Sequence, residues 1–249
     1  MFKEALLELV YPSSLYCVCC SKIIDDSRPY KLCNDCMSGL KWAVERTCCK
    51  CGKPLSDSNP LDTCFSCREH AHKFRKGYTV AEYGTHERSL IFALKYHSRT
   101  DIASTIGEMM YDRMQSEFGS VQLRNSYDLI VPVPMYEPKK LSRGYNQAEL
   151  IAREFAKRSL IDYHGDIMTR TRETSAMRGL SPDRRRAEIE GVFAIKKGLA
   201  SLVQGSRVIV IDDIYTTGAT SDEMARTLYG AGAETVDILS FAAGADMVK

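Results

Sequence analysis

The sequence predicts an α/β protein, a mostly parallel sheet with helices on both faces, preceded by a small cysteine-rich module. Three observations predict it. All ten cysteines lie between positions 17 and 67. Beyond Lys76, cysteine disappears and strand-like and helix-like segments alternate with short connections. One four-residue apolar run near the C-terminus ends abruptly in two aspartates and a hydroxyl-rich turn. The boundary is therefore set at residues 1–76 and 77–249.

The chain has 249 residues, 44% hydrophobic and 27% charged, which excludes disorder, collagen and coiled coil as whole-chain descriptions. The formal charge of +2 excludes a uniformly basic nucleic-acid coat. No apolar run reaches the roughly 20 residues of a membrane helix, so no membrane insertion is expected. The first ten residues carry Glu4 and Glu8 inside their apolar stretch and are read as a short amphipathic helix rather than a signal peptide. A cytoplasmic setting, with reduced thiols, is expected.

An offset of 31 residues maps Cys17, Cys20, Cys33 and Cys36 onto Cys48, Cys51, Cys64 and Cys67. Each half reads C-x2-C, twelve residues, C-x2-C. Two intervening residues let a tight turn present both thiolates to one tetrahedral Zn²⁺ at about 2.3 Å, and two such turns close a four-cysteine site. Two structural zinc ions are expected, paired consecutively or cross-braced. Gly52, after Cys51, suits the positive φ of such a turn. Cys19 and Cys49 fall outside the repeat and are read as bystanders or weakly bound alternative ligands. His70 and His72 follow Cys67 closely enough to substitute for a ligand, and are read rather as solvated loop residues. With eight thiolates and two Zn²⁺, the formal +3 of residues 1–76 becomes −1.

In the second segment, Gly77–Tyr83 is strand-like. His86–Tyr96 and Ile102–Phe118 are helical, the latter with Ile102, Ile106, Met109 and Met110 on one face. Asp128–Val133 is an apolar strand and Tyr145–Arg158 an amphipathic helix. Ser181-Pro182-Asp183 starts a helix, with serine as N-cap and proline at the first position. Val192–Ile195 is a short strand. Arg207–Ile211 is a buried strand, Ala219–Tyr229 the helix after it, and Thr235–Phe241 a last strand.

Chemistry concentrates in Val208 to Thr220. In an open α/β sheet, ligands bind at the carboxyl ends of the strands. There Asp212 and Asp213 offer acceptors. The turn amides, with Thr216, Thr217 and Thr220, converge on a helix N-terminus that suits an anion. Gly218 lets backbone approach a phosphate. Acceptors opposite phosphate donors suit a sugar phosphate with free vicinal hydroxyls.

This run resembles the signature of type I phosphoribosyltransferases, which bind phosphoribosyl diphosphate (PRPP). With Val131-Pro132-Val133-Pro134, Arg143-Gly144-Tyr145-Asn146-Gln147-Ala148-Glu149 and the repeated cysteine pairs, nearly the whole chain resembles the ComF family of competence proteins. The resemblance implies a type I phosphoribosyltransferase-like sheet behind a double zinc ribbon, and PRPP or ribose 5-phosphate bound with Mg²⁺. Asp212 and Asp213 would hold the ribose hydroxyls as the catalytic pair, and Thr216, Thr217, Gly218, Ala219 and Thr220 the 5-phosphate. Val133, Pro134 and Arg143 would face diphosphate, with a solvated loop as the other reading of Arg143. Lys95 is also family-like, or a lysine on a helix C-terminus. Met177 and Glu188 stand where the family usually has Gln and Asn. Arg170, Arg172, Arg178 and Arg184–Arg186 form the clearest basic concentration, read as an exposed loop and helix or as contacts to phosphate. The implied role is DNA uptake beside an ATP-driven translocase, with single-stranded DNA as a possible partner. The alternatives are a phosphoribosyltransferase of nucleotide metabolism or salvage, and a non-catalytic adaptor. The cysteine module is expected over or beside the carboxyl ends of the strands, and the core is expected to fold without it.

Overall fold

The computed structural model describes residues 15–174 and 181–246. The N-terminal helix expected at 1–10, and Met177 and Arg178, lie outside the described residues.

In chain order the elements are α1 (Asn34–Gly39), α2 (Phe65–Glu69), β1 (Gly77–Glu82), α3 (Thr85–Tyr96), α4 (Ile102–Phe118), α5 (Ser120–Ser126), β2 (Leu129–Pro132), α6 (Glu137–Arg143), α7 (Gln147–Ser159), β3 (Asp162–Tyr163), β4 (Met168–Arg170), α8 (Pro182–Ile189), β5 (Phe193–Ile195), α9 (Ala200–Val203), β6 (Arg207–Tyr215), α10 (Ala219–Gly230) and β7 (Thr235–Ala243). Five strands form one sheet in the order β1-β7-β6-β2-β3, every pairing parallel. β4 and β5 pair antiparallel beside it. This is the parallel sheet with helices on both faces that the sequence implied.

Alternation along β6 separates two apolar layers. Ile209 and Ile211 pack with α3, α4 and α7, whose Leu94, Met110 and Phe155 are fully buried. Val208 and Val210 pack on the other face with Met224 and Leu228 of α10 and with the β4–β5 pair. Each such side chain contributes roughly 1.5–3 kcal/mol on burial. The methionines of α4 are core, as expected: Met109, Met110 and Met114 are 0–1% exposed.

The cysteine module straddles the β1 edge. Cys17, Cys33 and Cys36 belong to the apolar cluster of the first face, and Cys48, Cys51 and Cys64 to that of the second. Between them, Lys41–Ala43 runs antiparallel to β1. Ala43 N–H donates to Val80 O (2.8 Å), Glu82 N–H donates to Lys41 O (2.7 Å), and Trp42 bridges Ala81. The buried Glu87 of α3 accepts from the Lys41 amide (2.7 Å) and the Gly84 amide (3.0 Å) and clips this strap in place. The first sheet strand begins at Gly77, but the apolar clusters run across that position. The shared packing argues against the expectation that residues 77–249 fold without the module: removing residues 1–76 uncovers the β1 edge and the packing on both faces beside it.

Two boundaries differ from expectation. β6 does not stop at Ile211 but continues to Tyr215, with Asp212 opposite Ser240 and Ile214 opposite Ala242. The small Ser240, Ala242 and Ala243 let β7 run on beside it, so the two aspartates sit inside the paired strand near its carboxyl end. α7 begins at Gln147 rather than Tyr145, because Asn146 caps it by accepting from the Ala148 amide (3.2 Å). No helix among the described residues is long and apolar enough to cross a membrane.

Candidate functional site

The carboxyl ends of β2 and β6 open into a cleft of about 380 Å³. Its floor is Asp212 and Asp213, with Ile214, Thr216 and Thr220 to one side. The opposite wall is Val133, Pro134 and the start of α7, and its basic residues are Lys95, Lys139, Arg143 and Arg170. The topology gathers these from several separate elements, which end or begin at the carboxyl edge of the sheet.

Asp212 turns its carboxylate to accept the Asp213 amide (2.8 Å). Asp213 is ion-paired to Lys95 at the end of α3. Burial and the neighbouring Asp213 charge push the Asp212 carboxyl up to about 8, with Lys95 opposing. Burial alone would depress the Lys95 ammonium, but Asp213 and Asp212 outweigh it and hold it above its ordinary value. Lys95 is thus a cation of the cleft and not only the terminal residue of a helix. Arg170 is lowered by burial and restored in part by Asp212.

The turn after β6 is built for close backbone approach. Gly218 has φ +81°, and a Cβ there would lie 2.5 Å from both His72 Cε1 and Tyr215 Oη. Gly218 starts α10 without a side-chain cap, so the helix N-terminus is left to other partners. Thr217 Oγ1 is buried without a hydrogen-bond partner among the described residues, and so are Gln147 Nε2 and Arg170 Nε in the cleft wall. Orphaned polar atoms in the cleft wall and in the turn beside it are what a polar ligand would satisfy.

Other predicted residues take more mixed positions. The Val133 amide donates to Ile211 O (2.9 Å), its carbonyl accepts from Asn146 Nδ2 (2.9 Å), and Pro134 has no N–H, so both line the wall without offering a donor. Arg143 lies over the Tyr96 ring and donates to Gln147 Oε1 (2.7 Å), at the cleft rather than in a solvated loop. The arginines of 170–186 are dispersed. Arg170 lines the cleft, Arg172 donates to the Glu188 and Glu190 carbonyls, and Arg186 meets Asp183 and His70.

The cysteines form two consecutive clusters, Cys17/Cys20/Cys33/Cys36 and Cys48/Cys51/Cys64/Cys67, each with all Sγ atoms within 4.8 Å. Two sulfurs bound 2.3 Å from a tetrahedral ion stand about 3.8 Å apart. The Cys20–Cys33 and Cys51–Cys64 pairs are at 3.6 Å. The Cys33 and Cys64 amides point at the sulfurs of Cys17 (3.4 Å) and Cys48 (3.3 Å). The donor set fits zinc.

The solvated reading of His72 is corrected. Its side chain is 0% exposed and lies between Asp222 and Tyr215. Its partner Asp222 is 150 residues away, so no local pattern signals the burial. His70 is half-buried against Arg186.

Fold and site together define an α/β protein with a cleft of acidic floor and basic wall at the carboxyl ends of its parallel strands, and a paired four-cysteine module. A family model described as a double zinc ribbon domain matches residues 6–72. DNA utilization protein YhgH of Escherichia coli O157:H7 is 30% identical over 160 residues, 64% of this chain and 68% of that protein. Competence protein F of Haemophilus influenzae is 29% identical over 153 residues, 61% and 66% of the two chains. Competence protein ComFC of Bacillus subtilis is 33% identical over 107 residues, 42% and 39%. The chain belongs to the ComF family of competence and DNA utilization proteins. Among solved structures, glutamine PRPP amidotransferase from B. subtilis, complexed with ADP and GMP, aligns at TM-score 0.36 and 19% identity over 60% of this chain. The alignment spans only 30% of that enzyme.

Proposed function

We propose that the cleft binds PRPP or ribose 5-phosphate with Mg²⁺, and that this binding serves DNA uptake in the cytoplasm. The observation that carries the reading is the pairing of two carboxylates on the cleft floor with a threonine-rich turn whose Thr217 hydroxyl is buried and unpartnered. Asp212 and Asp213 would accept from the ribose hydroxyls. Thr216, Thr217, Gly218, Ala219 and Thr220 would hold the 5-phosphate on the N-terminus of α10. Lys95, Arg143 and Arg170 would offset the diphosphate charge on the opposite wall. Mg²⁺ bound with PRPP would lower the diphosphate charge that the wall must meet. If turnover occurs, the C1–O bond to diphosphate breaks as the acceptor's lone pair bonds to C1, and diphosphate leaves with the electron pair. The chain's own residues position both partners and need supply no nucleophile. Two Zn²⁺ ions would be structural. A DNA-translocase ATPase and single-stranded DNA are the proposed partners.

Calorimetric titration of PRPP with and without Mg²⁺ tests this directly. The Asp212→Asn/Asp213→Asn double variant should lose binding, and unchanged affinity rules the assignment out. The same double variant in a competent host should lose transformation at normal protein level. Wild-type transformation would separate the cleft from uptake.

A further inference from the structure

Resting on the reading of Thr216–Thr220 as the phosphate loop, we propose that His72, contributed by the cysteine module, is a positioning residue for that loop. His72 Nδ1 lies 2.8 Å from Asp222 Oδ2 in the first turn of α10, and Nε2 lies 3.3 Å from Tyr215 Oη at the end of β6. One neutral tautomer satisfies both contacts: Nδ1–H donates to Asp222, and the Tyr215 hydroxyl donates to Nε2. The ring stacks on Phe74, with centroids 5.0 Å apart. Its Cε1 occupies the space beside Gly218 that any Cβ there would need. Asp222 also accepts from the Lys73 amide (2.7 Å), so the segment leaving the second cysteine cluster is fastened twice to α10.

These contacts bracket the loop. Tyr215 immediately precedes it, Gly218 is at its centre, and Asp222 follows it. His72 touches all three and is held five residues after Cys67, the last cysteine of its cluster. A loop fixed at both ends and against its middle presents its amides in one geometry, which lowers the ordering cost of binding phosphate. The cysteine module is thereby part of the phosphate site and not only a neighbour of it.

The test uses the full-length zinc-loaded chain with ribose 5-phosphate as probe. His72→Phe keeps the ring and its stacking but loses both hydrogen bonds. It should bind at least tenfold more weakly at temperatures where it is folded, with zinc content unchanged. The amide NMR signals of Thr216, Thr217 and Gly218 should shift in the free variant while those of Cys48 to Cys67 stay. A variant that melts earlier yet binds like wild type overturns the inference, because the role is then only structural. If His72→Phe does not fold, Tyr215→Phe decides. Removing only that hydroxyl should weaken binding several-fold, and unchanged affinity overturns the inference. Failure of the wild-type chain to bind ribose 5-phosphate, PRPP or inorganic phosphate overturns the phosphate-loop reading itself, and the inference with it.

Discussion

The two aspartates of the cleft should respond to neutralisation with opposite sign. Asp212 is held at about 8, against an ordinary 3.8, by burial and by the Asp213 charge. A carboxyl raised in the folded state binds its proton more tightly there than in the unfolded chain. Its stabilising contribution is therefore complete below the unfolded value and is lost as pH rises through the folded one. Roughly 4 pH units at about 1.4 kcal/mol each set a ceiling on the order of 5–6 kcal/mol. Asp212 lines an open cleft, so water takes up part of that cost, and a difference of about 2–3 kcal/mol is expected. Asp212→Asn removes it. The variant should gain on wild type as pH rises between about 4 and 8, most steeply between about 5 and 7, and level off above about pH 8. Asp213→Asn should do the reverse. It leaves Lys95, whose side chain is 22% exposed, without its ion-pair partner, and should cost about 1–3 kcal/mol. Urea unfolding at a series of pH values reads both. Parallel stability curves for wild type and Asp212→Asn over that range would refute the reasoning.

Three further outcomes follow from the same structure. On the proposed reading of the cleft, PRPP and Mg²⁺ should draw the Asp212 carboxyl down, so binding near pH 7 should release close to one proton per chain; calorimetry in buffers of different ionisation enthalpy measures this, and a buffer-independent enthalpy would contradict it. Asp237, fully buried, accepts from Tyr127 Oη (2.7 Å), Arg75 Nε (2.9 Å) and the Lys76 amide (3.0 Å). Asp237→Ala strands these donors and should cost about 3–5 kcal/mol in denaturant unfolding. Elemental analysis should find two zinc ions per chain, and chelation should lower the melting temperature of the whole protein in one transition. A core that melts at its original temperature after chelation would show the module to be separable.

Much of this was legible in the sequence because the signals are local. The C-x2-C pairs repeat at a fixed offset, the apolar run of β6 ends in charge, and α4 spans Ile102–Phe118 as its periodicity predicts. What was not legible depends on partners far along the chain. α6 carries Pro138 and four charged residues in seven, and has no buried residue to give it a period. β3 is two residues long and exists only because β2 offers it an edge. Lys95 read equally well as a dipole-matched helix end, and only the fold brings Asp213 to it. His72 sits in a polar run whose local composition says solvent.

The placement of the module explains why its cysteines lie at the head of an otherwise ordinary sheet. β1 is an edge strand whose first five residues are buried, a liability unless something covers it. Lys41–Ala43 covers the edge, and the two cysteine clusters close the flanks, one on each face. Neither cluster has enough large apolar side chains to stand alone, and each borrows from the neighbouring core: the first from α3 and α4, the second from β6 and α10, Tyr215 and Met224 among them. At Gly52, with φ +72°, a Cβ would fall 2.5 Å from Gly77 O, so the turn of the second cluster presses directly on the start of β1. The cysteine clusters, the covering of the β1 edge and the seating of His72 against the Thr216–Thr220 turn therefore belong to one packed unit. A change that loosens the second cluster should be felt at the loop before it is felt in the distant helices of the first face, because His72 and Tyr215 connect the two directly.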